Sequence, residues 1–287
     1  MTDTVDLPYF DFLLDLLASR NGLAERSFGR HVHWGYWPRP EAATGGEADY
    51  AAAADRLAEE LIAAAAVGDG QHVLDAGCGF GGTTALLNER FEHMGLTGLN
   101  IDERQLERAR GLVAARPSNT VSFERGDACA LPYAGRTFDR VLAVECIFHF
   151  PSRERFFAEA WRTLRPGGIL ALTDFVPARA ARPVVRLVTE HRALARFQYL
   201  GRCNLDGSLP RYRQMARRIG FEPLAERNLT RHTLPTYTFL KQLVRRSSLA
   251  PGLTRGALAL LSLMQVAGTT GLLNYCLLAY RKPASSG

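Results

Sequence analysis

The run VLDAGCGFGG at 73–82 sets a carboxylate directly before a cluster of glycines. Gly77, Gly79 and Gly82 also spell GxGxxG, a pattern shared with dinucleotide-binding turns. Glycines let the backbone take positive φ and approach a ligand closely. A helix opening after them would favour an anion such as pyrophosphate. Asp75 argues against that ligand, because a carboxylate there repels pyrophosphate and suits an ammonium or sulfonium charge. Asn100, 21 residues after Gly79, ends the segment GLNID at 98–102. A polar side chain there can hydrogen-bond ribose hydroxyls, as an acidic residue does in dinucleotide folds. Asp127, in Gly126-Asp-Ala128, offers an acceptor to an adenine amino group. Three successive strand ends thus present polar groups to one adenosine-type ligand.

A second set of residues could move protons. Glu145-Cys-Ile-Phe-His149 closes one apolar run and Asp174 closes the next. Glu145 can orient a substrate, act as a base, or hydrogen-bond the N-terminal loop or a cofactor. His149, with an intrinsic pKa near ~6.5, can take a proton at neutral pH. Asp174 could hold that imidazole in the right tautomer, as in His–Asp pairs; the alternative is a structural hydrogen bond. Upstream, His31 and His33 form an HxH pair, but no further His, Cys or Asp cluster supports a metal. Tyr36 is the aromatic best suited to face a cation, an attraction of roughly 0.5–2 kcal/mol. Trp34 and Trp37 read as lid packing.

The elements that would carry these residues follow from periodicity. Residues 5–19 and 49–67 are apolar at helical spacing, and 31–46 is a Trp-, Gly- and Pro-rich loop. Strands are expected at 71–75, 95–101, 120–125, 138–145 and 168–174, with helices at 83–91, 102–115 and 153–164. Strands separated by helices imply a parallel sheet covered on both faces, whose carboxyl edge binds ligands. Beyond 176 the pattern changes. A helix capped by Ser208 is expected at 208–219, a strand at 221–228, helix over 235–268 and a last strand at 272–280.

The segments VLDAGCGFGG, GLNID, GDACALPYAGRTFD and LRPGG (164–168) resemble, in order and spacing over about residues 70–176, the class I S-adenosylmethionine (SAM) methyltransferases. His33-Trp-Gly-Tyr-Trp37 is similar to the HxGYW loop of a subgroup acting on small lipophilic molecules, including sterol and tocopherol C-methyltransferases and natural-product sugar O-methyltransferases. The family usually has Asp where this chain has Asn100, which resembles the sterol and tocopherol branch. The resemblance implies an α/β, Rossmann-like, seven-stranded and mostly parallel sheet with helices on both faces and a helical substrate cap. It divides the chain into an N-terminal cap (1–55), a SAM-binding core (56–176), cap insertions with C-terminal strands (177–282) and a disordered tail (283–287). The implied cofactor contacts are Tyr36 near the sulfonium, Asp75, Gly77 and Gly79 at the methionine end, Asn100, Ile101 and Gln105 at the ribose, Asp127, Ala128 and Leu131 at the adenine, and Glu145. For Gln105 an exposed helix position is an equal alternative. The related sugar enzymes imply His149 and Asp174 as a base dyad. Methyl transfer is an SN2 displacement in which alignment and exclusion of water matter most. An oxygen nucleophile needs a base; a carbon nucleophile leaves a cation that Glu145 could stabilise. A cyclase built on the same fold, and an NAD-type oxidoreductase, are the alternatives.

Composition is consistent with this. The chain has 287 residues, is 47% hydrophobic and carries a net charge of +6, so it can bury a core and is not a disordered polymer. Of its 35 basic residues only Lys241 and Lys282 are lysine. Nucleic acid is disfavoured, because basic and aromatic residues are not interleaved and no recognised binding motif is present. Twelve arginines in 179–231 could bind an anionic group such as a prenyl diphosphate, or form a solvated face. Five scattered cysteines with no CxxC pair favour a reducing compartment. The apolar stretch 256–280 is interrupted by polar residues and lacks the ~18 uninterrupted apolar positions of a membrane span. It reads as pocket wall, dimer face or loose membrane contact. A soluble cytoplasmic enzyme follows, a homo-oligomer being among the arrangements allowed. The substrate would lie under a cap drawn from 1–55, 177–215 and 230–268, and the aromatics Tyr9, Phe10, Phe12, Trp34, Phe148, Phe175, Phe197, Tyr199, Tyr237 and Phe239 suggest an apolar pocket.

Overall fold

The computed structural model describes residues 11, 13–14, 17, 22–181, 204, 207–247 and 250–284. The expected helix over 5–19, the expected tail, and Tyr9, Phe10, Phe12, Phe197, Tyr199 and Cys203 lie largely or wholly outside them.

Seven strands form one sheet: β1 (His72–Ala76), β2 (Gly95–Asn100), β3 (Thr120–Arg125), β4 (Phe138–Ala143), β5 (Leu164–Pro177), β6 (Glu222–Asn228) and β7 (Leu273–Arg281). Their order is β3-β2-β1-β4-β5-β7-β6, with β7 antiparallel to both neighbours and the other pairings parallel. Residues 73–76 of β1 are all buried, as a central strand covered on both faces requires. Beside β1 the strand order reverses between β2 and β4, and this switch point is where open α/β sheets hold ligands.

The helices follow from local signals. α1 (Gly22–Phe28) and α2 (Glu47–Ala64) precede β1. α2 buries Tyr50, Ala53, Ala54, Leu57, Ala58, Leu61 and Ile62, the spacing of one helical face. α3 (Gly82–Arg90) starts from the glycine turn, with Gly81 at φ 80°. α4 (Glu103–Leu112) and α5 (Arg153–Thr163) are N-capped by the side chains of Asp102 and Ser152. α6 (Leu209–Ile219) is capped by Ser208 at the expected place and ends on Gly220 at φ 108°. α7 (Thr230–Thr233), α8 (Pro235–Arg246) and α9 (Pro251–Thr269) lead to β7.

Two expectations shift. The fifth strand begins at Leu164, not at 168. Its pairing with β4 jumps from Phe138↔Leu164 to Arg140↔Ile169, so the glycines of LRPGG form a bulge inside the strand. The helix expected over 235–268 is two helices, α8 and α9, and the apolar stretch after 256 divides between α9 and β7 as expected. Leu261, Met264 and Ala267 pack on the core, while Leu263 and Val266 stay 66% and 58% exposed. No helix among the described residues is long and apolar enough to cross a membrane.

Candidate active site

Parallel pairing brings the ends of β1, β2, β3 and β4 to one edge, and the glycine turn lies there. Gly77 and Gly79 have φ of 77° and 54°. A Cβ on Gly77 would stand 2.7 Å from the Cys146 Cβ, so residue 77 must be glycine for two independent reasons. Cys146 Sγ reaches the Ala76 carbonyl at 3.0 Å beneath the turn. Asp75 is 2% exposed and its Oδ2 accepts from Thr84 Oγ1 at 2.9 Å. Burial pushes its carboxyl up to about 6, opposed by the hydroxyl and amide of Thr84. Sequence reading missed Thr84, although its place in the first turn of the helix after the glycines was a usable signal.

At the next strand end Asn100 Nδ2 donates to Gln105 Oε1 at 3.1 Å, and Asn100 Oδ1 accepts from the Asp102 amide. Gln105 is 2% exposed, so the alternative of an exposed helix position is wrong: its Oε1 accepts from Asn100 and its side chain also bonds Asp102. Ile101 remains 37% exposed. Asp127 is exposed, and its Oδ1 accepts from the Cys129 amide at 2.8 Å. Ala128 and Leu131 are 6% and 4% exposed and pack into the core with Leu99. Of these side chains, those of Ile101 and Asp127 are the ones left open to solvent.

Glu145 follows β4 with φ 51°, a left-handed conformation that costs a non-glycine residue on the order of 1–3 kcal/mol. Three contacts hold it there. Its amide donates to Thr173 Oγ1 at 2.9 Å, and its Oε2 accepts from the Trp34 amide at 2.9 Å and the Tyr275 hydroxyl at 2.8 Å. Burial pushes this carboxyl up to about 8, against the pull of Trp34 and Tyr275. The N-terminal loop is thus tied to the end of β4 through a backbone amide, and the Tyr275 partner, 130 residues away, gave no sequence signal.

Trp34 stacks edge-on to Tyr237 and Phe175, with centroids 4.3 and 5.2 Å apart, and Phe148 joins Phe175 at 5.7 Å. Phe239 stacks on Tyr50 at 4.1 Å. These aromatics interlock as core under the loop. Tyr36 is 8% exposed, with its ring 4.9 Å from that of His232 in α7. His31 and His33 are buried and bonded to each other at 2.9 Å. Among the described residues no group of three or more His, Cys, Asp or Glu is gathered as a metal site.

Asp174, expected beside His149, has other partners among the described residues. His149 sits half-buried on the 3-10 turn Ile147–His149, its ring 4.3 Å from Phe148. Asp174 is fully buried and committed elsewhere. Oδ2 accepts from Arg153 Nη2 at 2.9 Å, Arg153 Nε at 3.2 Å and the Tyr212 hydroxyl, while Oδ1 accepts from the Phe175 amide. Burial raises its carboxyl above the usual range, opposed by those donors. An arginine inside the protein is always charged, so Arg153 and Asp174 are counter-ions of each other. Arg153 was missed because arginines in a helix ordinarily face solvent; here it is 5% exposed.

Residues 74–172 match the family model described as Methyltransferase domain. The chain is 33% identical over 228 residues to Methyltransferase GfsG of Streptomyces halstedii, covering 77% of each protein. It is 31% identical over 275 residues to 27-O-demethylrifamycin SV methyltransferase of Amycolatopsis mediterranei, covering 91% of this chain and 93% of that one. Among solved structures, the [4+2]-cyclase SpnF superposes with a TM-score of 0.71 at 23% identity, covering 96% of this chain and 94% of that one. Geranyl diphosphate C-methyltransferase from Streptomyces coelicolor A3(2), solved with S-adenosyl-L-homocysteine, does so at 0.69 and 20% identity, covering 98% and 99%. These two share the fold. The donor set fits SAM: a bare-backbone turn preceded by a buried acid, a fixed amide pair at the second strand end, and exposed Ile101 and Asp127 after the second and third strands. The chain belongs to the class I SAM-dependent methyltransferases.

Proposed function

We propose that this enzyme methylates an oxygen of a small, mainly apolar natural product, with His149 as the base. The observation that carries the reading is the placement of His149 on the turn that follows β4, four residues beyond Glu145 and beside the strand that feeds the glycine turn. SAM supplies an electrophilic methyl group. Asp75, Gly77 and Gly79 position its methionine end, Asn100 with Gln105 its ribose, and Ile101 with Asp127 its adenine. Glu145 anchors the loop 33–37 over them through the Trp34 amide and excludes water; His149 receives the proton of the attacking hydroxyl. Oxygen is favoured because the rifamycin enzyme, alike over nearly the full chain, is named for an O-demethyl substrate.

Within the arginine-rich run, Arg211, Arg213 and Arg227 pair with Glu154, Glu226 and Glu60. Those charges are already balanced within the chain. We place the cofactor unit at 56–176, with cap segments before and after it. Cys78, Cys129, Cys146 and Cys276 are free and buried, which supports a reducing compartment.

The test is transfer of labelled methyl from SAM to a panel of hydroxylated acceptors, with wild type and His149→Ala. The variant should lose about 10²–10⁴-fold in turnover while S-adenosylhomocysteine affinity is nearly unchanged. Undiminished turnover would remove His149 from the role of base. Rearranged product without label would point to a cyclase.

A further inference from the structure

Three hydrogen bonds run in series through the N-terminal loop. Asp55 Oδ1 meets His31 Nε2 at 2.8 Å, His31 Nδ1 meets His33 Nε2 at 2.9 Å, and His33 Nδ1 meets the Trp34 carbonyl at 2.9 Å. Both rings are buried, at 4% and 7% exposure. Each contact needs one proton between its heavy atoms. The Trp34 carbonyl can only accept, so His33 Nδ1 donates. A neutral His33 then has a bare Nε2, and His31 Nδ1 must donate to it. If His31 is also neutral, its own Nε2 is bare and faces a carboxylate oxygen at 2.8 Å, lone pair against lone pair. Two neutral imidazoles and one carboxylate bring two protons to three contacts.

We propose that the Asp55–His31–His33 chain retains one additional proton, held on His31 against Asp55, and that this proton latches the loop so that the Trp34 amide is positioned on Glu145. His31 and His33 are then positioning residues for methyl transfer. The latch touches the cofactor turn directly: a Cβ on Gly82, the first residue of α3, would lie 2.4 Å from His31 Nδ1. Continuing along the chain, the His33 carbonyl accepts from Tyr50 Oη at 2.9 Å and the next amide, that of Trp34, donates to Glu145. The ring nitrogens of the HxH pair are consumed by each other, Asp55 and Trp34, which leaves none for a metal.

The charged groups around the latch are few. Arg30 Nε lies 3.8 Å from Asp55 Oδ1 and disfavours a charged His31, but Arg30 is itself bonded to Glu89 at 2.8 Å. Burial of the ring is the largest influence and holds His31 below the ordinary histidine value, while the Asp55 contact and Glu89 pull the other way. The extra proton therefore follows from the donor count and belongs to the acid side of the histidine range. His33 is held neutral by burial and by His31, its basicity pushed down to about 3. A cleft of about 310 Å³ reaches His31 and Asp55 from between α1, α2 and α3, so solvent can exchange this proton.

The inference rests on SAM binding at the glycine turn, and its first test is independent of that. Histidine-selective 15N NMR of the chain without cofactor, on the acid side of the ordinary histidine pKa of about 6.5, should show one buried imidazole protonated only at Nδ1 and a second protonated at both nitrogens. A His31 protonated at one nitrogen overturns the proposal. The second test uses Asp55→Asn, whose amide supplies the third proton and completes all three contacts with neutral rings. Wild type should lose about tenfold in S-adenosylhomocysteine affinity as pH rises past the point where NMR shows His31 losing its proton, and Asp55→Asn should vary by less than about twofold over that range. An equal alkaline loss in both proteins overturns the latch. His33→Ala should lower affinity at every pH.

Discussion

Arg153, Asp174 and Tyr212 form a buried charged cluster, and replacing Arg153 with Met tests how it works. Asp174 is wholly buried and Arg153 5% exposed, with the guanidinium 2.9 and 3.2 Å from one carboxylate oxygen. Arg153→Met keeps much of the side-chain volume but strands a carboxylate with no counter-charge. Removing one member of a buried pair costs about 3–5 kcal/mol. Unfolding entropy scales at about 2.1 cal/mol/K per residue, or on the order of 0.6 kcal/mol/K for a chain of this length, so the unfolding midpoint should fall by about 5–8 °C. Replacing all three together (Arg153→Met, Asp174→Leu, Tyr212→Phe) removes the stranded charge as well and should recover most of that loss. Thermal and urea unfolding of both variants, beside methyl-transfer turnover, gives the comparison. An Arg153→Met protein that melts with wild type refutes the reasoning. So does an Asp174→Asn protein that keeps its stability but loses turnover about a hundredfold, the size expected of a lost catalytic proton-transfer partner; Asp174 would then serve His149.

Further outcomes follow from the same geometry. Gly77→Ala must adopt φ 77° and fit a methyl 2.7 Å from the Cys146 Cβ, and should destabilise by about 2–4 kcal/mol and weaken S-adenosylhomocysteine binding; if Cys146→Gly does not partly rescue it by calorimetry, the clash is not the cause. Glu145 holds its proton up to about 8 in the folded chain, whereas an unfolded glutamate releases it near ~4.3. Its effect on stability is therefore fully present below that lower value and is lost as pH rises towards 8. Glu145→Gln should flatten that slope in urea midpoints measured against pH, and parallel profiles would contradict the assignment. Thr84→Val removes the hydroxyl that favours ionised Asp75, so SAM binding should shift its pH dependence upward from about 6; an unshifted profile means that Asp75 does not carry it.

Much of the site was legible because glycine and acid placement is local chemistry. Gly77 and Gly79 take the positive φ that only a turn of this kind demands, and Asp75 precedes them on a strand whose apolar run marks it as central. Caps at Asp102, Ser152 and Ser208 lie where short polar side chains precede helical periodicity. Side-chain partners were less legible. Gln105 has no local mark distinguishing a buried amide from an exposed one, and Arg153 none distinguishing a counter-ion from a surface charge. Ala128 and Leu131 follow Asp127 closely in sequence, yet their side chains turn to the core.

By itself the sequence determined the strand–helix alternation, the glycine turn and the acid before it, because periodicity and backbone freedom depend on neighbours in the chain. Only the tertiary structure decided who pairs with whom. Glu145 met Trp34 and Tyr275 across 111 and 130 residues, and Asp174 met Arg153 and Tyr212. A buried polar group must be satisfied by whatever donor the packing delivers, and that donor is chosen by three-dimensional proximity, which no local pattern encodes.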